Sequence, residues 1–190
     1  MANMIVQPFK RSINATGLPS EQVNLIWEFY VTKSFAMTAS QKRLVSEYGL
    51  KTLPFDDMIR IAGIREYKII MCNTMKTTLS AMDLEILDDR KLEKEIEIDR
   101  PRIACIWPFS ISDENPPQQK IGKAECVFTH MRNAFAHGNT YFFDNGFMML
   151  EDKDNSTITA RMIIRQQTLL DWVRLIDKDQ RFYVFHDGVL

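Results

Sequence analysis

The chain has 190 residues, with 24 Lys and Arg against 25 Asp and Glu, and a formal net charge of -1. Apolar residues make up 45% and charged residues 26%, a composition that rules out general disorder and suits one domain with its own core. The near-zero charge rules out a protein that binds nucleic acid over its whole surface, while leaving room for a basic groove on one face.

Residues 1–19 carry Pro8, Gly17 and Pro19 and read as an irregular lead-in. Residues 20–138 read as a helical core. Ser20 is placed as an N-cap, and Val23, Ile26, Trp27, Tyr30, Val31 and Phe35 recur at helical spacing after it. A short helix follows from Ser40 to Gly49. From Pro54, apolar residues from Met58 to Leu87 fit one long helix, or two in series broken at Gly63. Residues 88–100 are a solvated run of charge. Pro101 to Pro117 is expected to be a loop, and a helix from near Gln118 stops at Gly138-Asn139.

The period then changes. Residues 139–165 read as a β-hairpin region, because Asn145-Gly146 separates Tyr141-Phe142-Phe143 from Phe147-Met148-Met149-Leu150. A second turn at 152–156 leads to a strand over 157–164. Residues 166–190 read as a C-terminal helix, capped at Thr168, and a tail with a strand over 182–185. The expected fold is therefore mainly α, one domain over 1–190: a helical bundle with a β-hairpin or small antiparallel sheet after the long helix. Cys72, Cys105 and Cys126 are too far apart for a Cys-x-x-Cys centre and read as buried free thiols. No run approaches the roughly 18–20 apolar residues of a membrane span. The expectation is a cytoplasmic protein without membrane attachment.

Cys126, His130, Asn133 and His137 are four, three and four positions apart, which puts them on one helical stripe. Arg132 lies about 140° around the axis from His137, within reach of a long side chain or of a second subunit. His137 is in the last helical turn, where exposed carbonyls favour the imidazolium and suit a general acid. Arg132 offers a permanent charge and a planar fork for a phosphate. Such a pair is half of what RNA cleavage without metal needs, since RNA supplies its own 2′-hydroxyl nucleophile. A twofold dimer would bring two pairs together.

Arg132-Asn133-x-x-x-His137, followed by Gly138-Asn139 and a hairpin, resembles the R-x(4–6)-H signature of the HEPN superfamily. The resemblance implies an α-helical bundle and a metal-independent endoribonuclease active as a homodimer. It also implies a setting in bacterial toxin–antitoxin or phage-defence systems, with an antitoxin or other defence protein as partner and RNA as substrate. Carried over, Arg132 and His137 form the catalytic pair and Asn133 is a polar orienting residue. Toxins of this kind paired with a nucleotidyltransferase usually have a tyrosine two residues after the histidine. Here that residue is Asn139, and the nearest tyrosine is Tyr141, so control by tyrosine AMPylation is not implied.

The competing reading is a non-catalytic HEPN-like module that binds RNA, nucleotide or protein, with Arg132 on the surface and His137 capping helix carbonyls. His130 reads as a half-buried packing residue. Cys126, His130 and His137 share a face, but they lack a fourth ligand and match no common zinc spacing. Neither metal nor cofactor is expected. No Walker A, G-x-S-x-G, H-E-x-x-H or G-x-G-x-x-G motif occurs.

Overall fold

The computed structural model describes residues 4–6, 18–32, 55–72, 100–108, 110–112, 115–118, 122–143 and 146–177. In chain order these form β1 (Met4–Val6), α1 (Ser20–Trp27, continued by a π turn over Glu28–Thr32), α2 (Phe55–Ile61) and β2 (Glu66–Cys72). Next come β3 (Arg102–Pro108), β4 (Ser110–Ser112), β5 (Asn115–Gln118) and α3 (Lys123–His137). The order closes with β6 (Thr140–Phe143), β7 (Phe147–Asp154), β8 (Thr157–Arg165) and α4 (Gln166–Ile176).

These elements build a mixed α/β fold, which corrects the expected mainly α bundle. Six strands make one sheet in the order β1-β6-β7-β8-β3-β2, and β4 and β5 pair separately. β2 runs parallel to β3, in register from Glu66↔Arg102 to Cys72↔Pro108. The other pairs are antiparallel.

Three stretches account for the correction: Met4–Val6, expected to be irregular lead-in, is an edge strand paired with β6, and two others lie further along the chain. Gly63, at φ +63°, ends the helix after Ile61, and the chain re-enters as a strand at Glu66. Tyr67 to Met71 is a short apolar run that suits a helix or a strand equally, so pairing with β3 decides it. The stretch from Pro101 to Pro117 is not a plain loop. Its side chains from Arg102 to Ile106 are buried; Pro101 precedes β3 and Pro108 is its last residue, while Pro116 and Pro117 fall in the separate short strand β5.

The expected hairpin forms. Thr140, Tyr141 and Phe142 face Leu150, Met149 and Met148, and Gly146 takes the left-handed φ of +79° that its turn requires. The second turn also forms, with Asn155 at φ 56°. Ser20 is the first helical residue, with Pro19 at the cap position, and Thr168 lies inside α4 rather than at its cap. The motif helix begins at Lys123, not Gln118, because Gln118 closes β5. The expected helix over 40–49, the charged run 88–99 and the strand over 182–185 lie outside the described residues.

The helices supply one layer of the main core and one face of the sheet supplies the other. Ile103 and Cys105 of β3, Met148 and Leu150 of β7, and Ala160, Met162 and Ile164 of β8 pack with the buried faces of α1 to α4. Alternate residues point the opposite way, and Phe143, Phe147, Met149 and Ile163 form a smaller cluster there. Polar anchors lock the helices together. The Trp172 indole donates to the Met58 carbonyl at 2.9 Å, and the Tyr30 hydroxyl to the Leu169 carbonyl at 2.8 Å. No helix among the described residues is long and apolar enough to cross a membrane.

Candidate functional site

The site is assembled where α3 crosses the strands. The helix ends as its sequence dictates: Gly138 adopts φ 72°, and the Asn139 amide returns to the Ala134 carbonyl at 2.9 Å, a Schellman closure. This stop leaves His137 in the last turn, exposed. Among the described residues its side chain makes no hydrogen bond.

Arg132 and Asn133 are half-buried one turn earlier. Arg132 Nη1 donates to Asn133 Oδ1 at 3.0 Å. Asn133 Nδ2 in turn donates to Asp152 Oδ2 at 3.0 Å. The same carboxylate oxygen receives His130 Nδ1 at 2.7 Å, and His130 Nε2 reaches the Ile106 carbonyl at 2.7 Å. The chain thus runs Arg132–Asn133–Asp152–His130, from a half-buried guanidinium into the core. Asp152 arrives there because Met148 and Leu150, two and four residues before it, point to the helices, and strand alternation carries 152 to the same side.

Arg132 Nε is buried and has no hydrogen-bond partner among the described residues. Buried donors of this kind are seldom left unpaired, so Arg132 is a polar side chain of the motif whose hydrogen bonding is incomplete among the described residues.

His130, expected as half-buried packing, is 4% exposed and paired with Asp152. Burial alone would push its pKa down. The hydrogen bonds to Asp152 and Cys126, and the charges of both, outweigh burial and raise it to about 10. The Cys105 hydrogen bond, followed by the hydrogen bond and charge of His130, pulls Cys126 down to about 6 against its own burial and the Glu125 charge. Cys105 moves the other way, held up by its hydrogen bond to Cys126 and by burial.

The expected stripe therefore splits. Cys126, His130 and Asn133 share one environment, while His137 stands apart in solvent. Cys105 from β3 takes the third place beside Cys126 and His130, and the ligand atoms of these three lie within 4.8 Å of one another. Neither Asp152 nor Cys105 carries a sequence signal for this role. Asp152 reads as a turn residue, and Cys105 sits in a stretch taken as loop.

On the sheet's other face, Glu151 and Arg161 form a second buried pair, with Arg161 Nε donating to Glu151 Oε1 at 2.6 Å. Both are at most 1% exposed. They sit directly opposite each other across β7 and β8 and point away from the motif.

No curated protein and no solved structure matches the chain. The family model described as HEPN pEK499 p136 matches residues 4–183, which takes in the Arg132–His137 motif, the hairpin and the strands on either side. The chain belongs to this HEPN family.

Proposed function

We propose that this protein is a metal-independent endoribonuclease of the HEPN type, acting as a toxin or in phage defence, with Arg132 and His137 as its catalytic pair. The observation that carries the reading is Arg132. One of its donors is fixed through Asn133 to the buried Asp152, and its Nε is unpartnered among the described residues. The guanidinium is thereby pre-oriented for a phosphate rather than free to wander. Asn133 is the orienting residue. His137, exposed and unengaged, is available to an RNA chain. A histidine buried in its own core would have favoured the non-catalytic module instead.

In this mechanism the 2′-hydroxyl oxygen attacks the adjacent phosphorus and the bond to the 5′-oxygen breaks. The products are a 2′,3′-cyclic phosphate and a 5′-hydroxyl. One His137 gives a proton to the leaving oxygen, and the second, from the other subunit of a homodimer, takes one from the 2′-hydroxyl. Arg132 stabilises charge that develops on the phosphoryl oxygens. Among the described residues no set of carboxylates gathers around Arg132 to hold a pair of magnesium ions.

The test is incubation of the purified protein with RNA in EDTA. Cleavage with cyclic phosphate ends, and resistance of a strand deoxy-substituted at the cleaved position, is the expected outcome. Activity lost in EDTA and restored by magnesium contradicts it, as does light scattering that shows only monomer at tens of micromolar.

A further inference from the structure

Three donors outside the Arg132–His137 pair converge on one point in the core. The sulfurs of Cys105 and Cys126 are 4.0 Å apart, near the separation of two thiolates that share a tetrahedral zinc with bonds of about 2.3 Å. A ring nitrogen of His130 lies within 4.8 Å of both. The Ile106 carbonyl oxygen marks the same point, 2.7 Å from His130 Nε2 and 3.5 Å from Cys126 Sγ. Polar hydrogens of three side chains are thus crowded into a volume that a single cation would fill in their place.

Asp152 prepares the histidine. It holds Nδ1–H at 2.7 Å, which fixes the ring and makes Nε2, now bonded to the Ile106 carbonyl at 2.7 Å, the nitrogen that would face a metal once its proton leaves. Liganding histidines commonly carry this carboxylate on the far nitrogen. Two thiolates are soft donors and an imidazole is a borderline one, a set that suits zinc and not magnesium or calcium. Cys126 and His130 are one helical turn apart on α3 and Cys105 is on β3, so one ion would tie the motif helix to the sheet.

We propose that Cys105, Cys126 and His130 bind one Zn²⁺ as a buried structural site, with the Ile106 carbonyl as fourth donor. The protons that the thiols and Nε2 carry leave to solvent as the ion enters. The site does not rest on the nuclease reading. EDTA present only during a cleavage assay reports on exchangeable metal at the scissile phosphate, whereas this ion sits among side chains no more than 4% exposed.

The test is elemental analysis of the purified, reduced protein, followed by cobalt substitution after prolonged exchange against a chelator. One zinc per chain is expected, as is a 1:1 cobalt titration with a thiolate-to-cobalt band in the near ultraviolet. Cys105→Ala and Cys126→Ala should each lose that band, and Cys72→Ala should keep it. Should a variant not fold, X-ray absorption of the zinc-loaded wild type decides: two sulfurs at about 2.3 Å with nitrogen or oxygen completing the shell. A protein that neither carries zinc nor gives the cobalt band overturns the proposal. A band that survives Cys105→Ala, or a metal shell without sulfur, also overturns it. No step reads RNA cleavage, so the two proposals stand or fall separately.

Discussion

Removing the Asp152 carboxylate should weaken both the fold and the site. Asp152 is 5% exposed, and its Oδ2 accepts from His130 at 2.7 Å and from Asn133 at 3.0 Å. In Asp152→Ala both donors lose their acceptor, inside a core where water does not replace it. Breaking a buried charged pair from one side costs about 3–5 kcal/mol. For a chain of this size each kcal/mol moves the midpoint by about 2–4 °C, so Tm should fall by about 6–20 °C. Asp152→Asn keeps one acceptor oxygen and should fall between the two. Asn133 released from Asp152 no longer steadies Arg132, so cleavage should drop even at temperatures where the variant is fully folded. Thermal melts by circular dichroism, paired with cleavage rates well below Tm, separate the two effects. An Asp152→Ala variant with Tm within about 2 °C of wild type and full activity would refute the idea that this carboxylate anchors the motif.

Glu151→Ala leaves Arg161 buried without its carboxylate and should cost about 3–5 kcal/mol, read by urea melts. The double variant Glu151→Leu, Arg161→Met should recover most of it, since an apolar pair of similar volume replaces a buried ion pair with little loss. Tyr30→Phe leaves the Leu169 carbonyl without its 2.8 Å donor and should cost about 1–3 kcal/mol. Burial first, and then the Asp171 charge, raises the Tyr30 pKa well above 10. The folded state therefore keeps a proton that the unfolded chain releases. Wild-type stability should fall as pH climbs past about 10, and the Phe variant should lose less over that range. Arg132→Lys should restore only part of the cleavage lost in Arg132→Ala, because an ammonium lacks the planar fork that bonds Asn133 and that the proposed reaction turns to the phosphate.

The parts of this fold legible in the sequence are those with local causes. Gly138 and Gly146 mark their turns by left-handed backbone conformation, a local cause, so the end of the motif helix and the hairpin were both readable. β2 and β3 were not. Glu66 to Met71 pairs with residues 36 positions away, from Arg102 to Trp107, and nothing local in Tyr-Lys-Ile-Ile-Met separates a strand from a helix face. The site divides in the same way. Helical spacing correctly grouped Cys126, His130 and Asn133, since one helix carries all three. It left His137 on that stripe although the helix runs out of the core before its last turn. It also missed Asp152 and Cys105, which reach the site by strand pairing and by the direction of a pleat. His130 was undervalued for the same reason: its partner is on another element, 22 residues away.

The most direct measurement of the central claim is the single-turnover cleavage rate of His137→Ala against wild type, with melts recorded on the same samples. His137 is exposed and its side chain makes no hydrogen bond among the described residues, and alanine is a good helix former, so Tm should be unchanged. The loss of a proton-transfer group should lower the rate by about 10²–10⁴-fold. A folded His137→Ala variant that cleaves RNA at the wild-type rate would contradict the account.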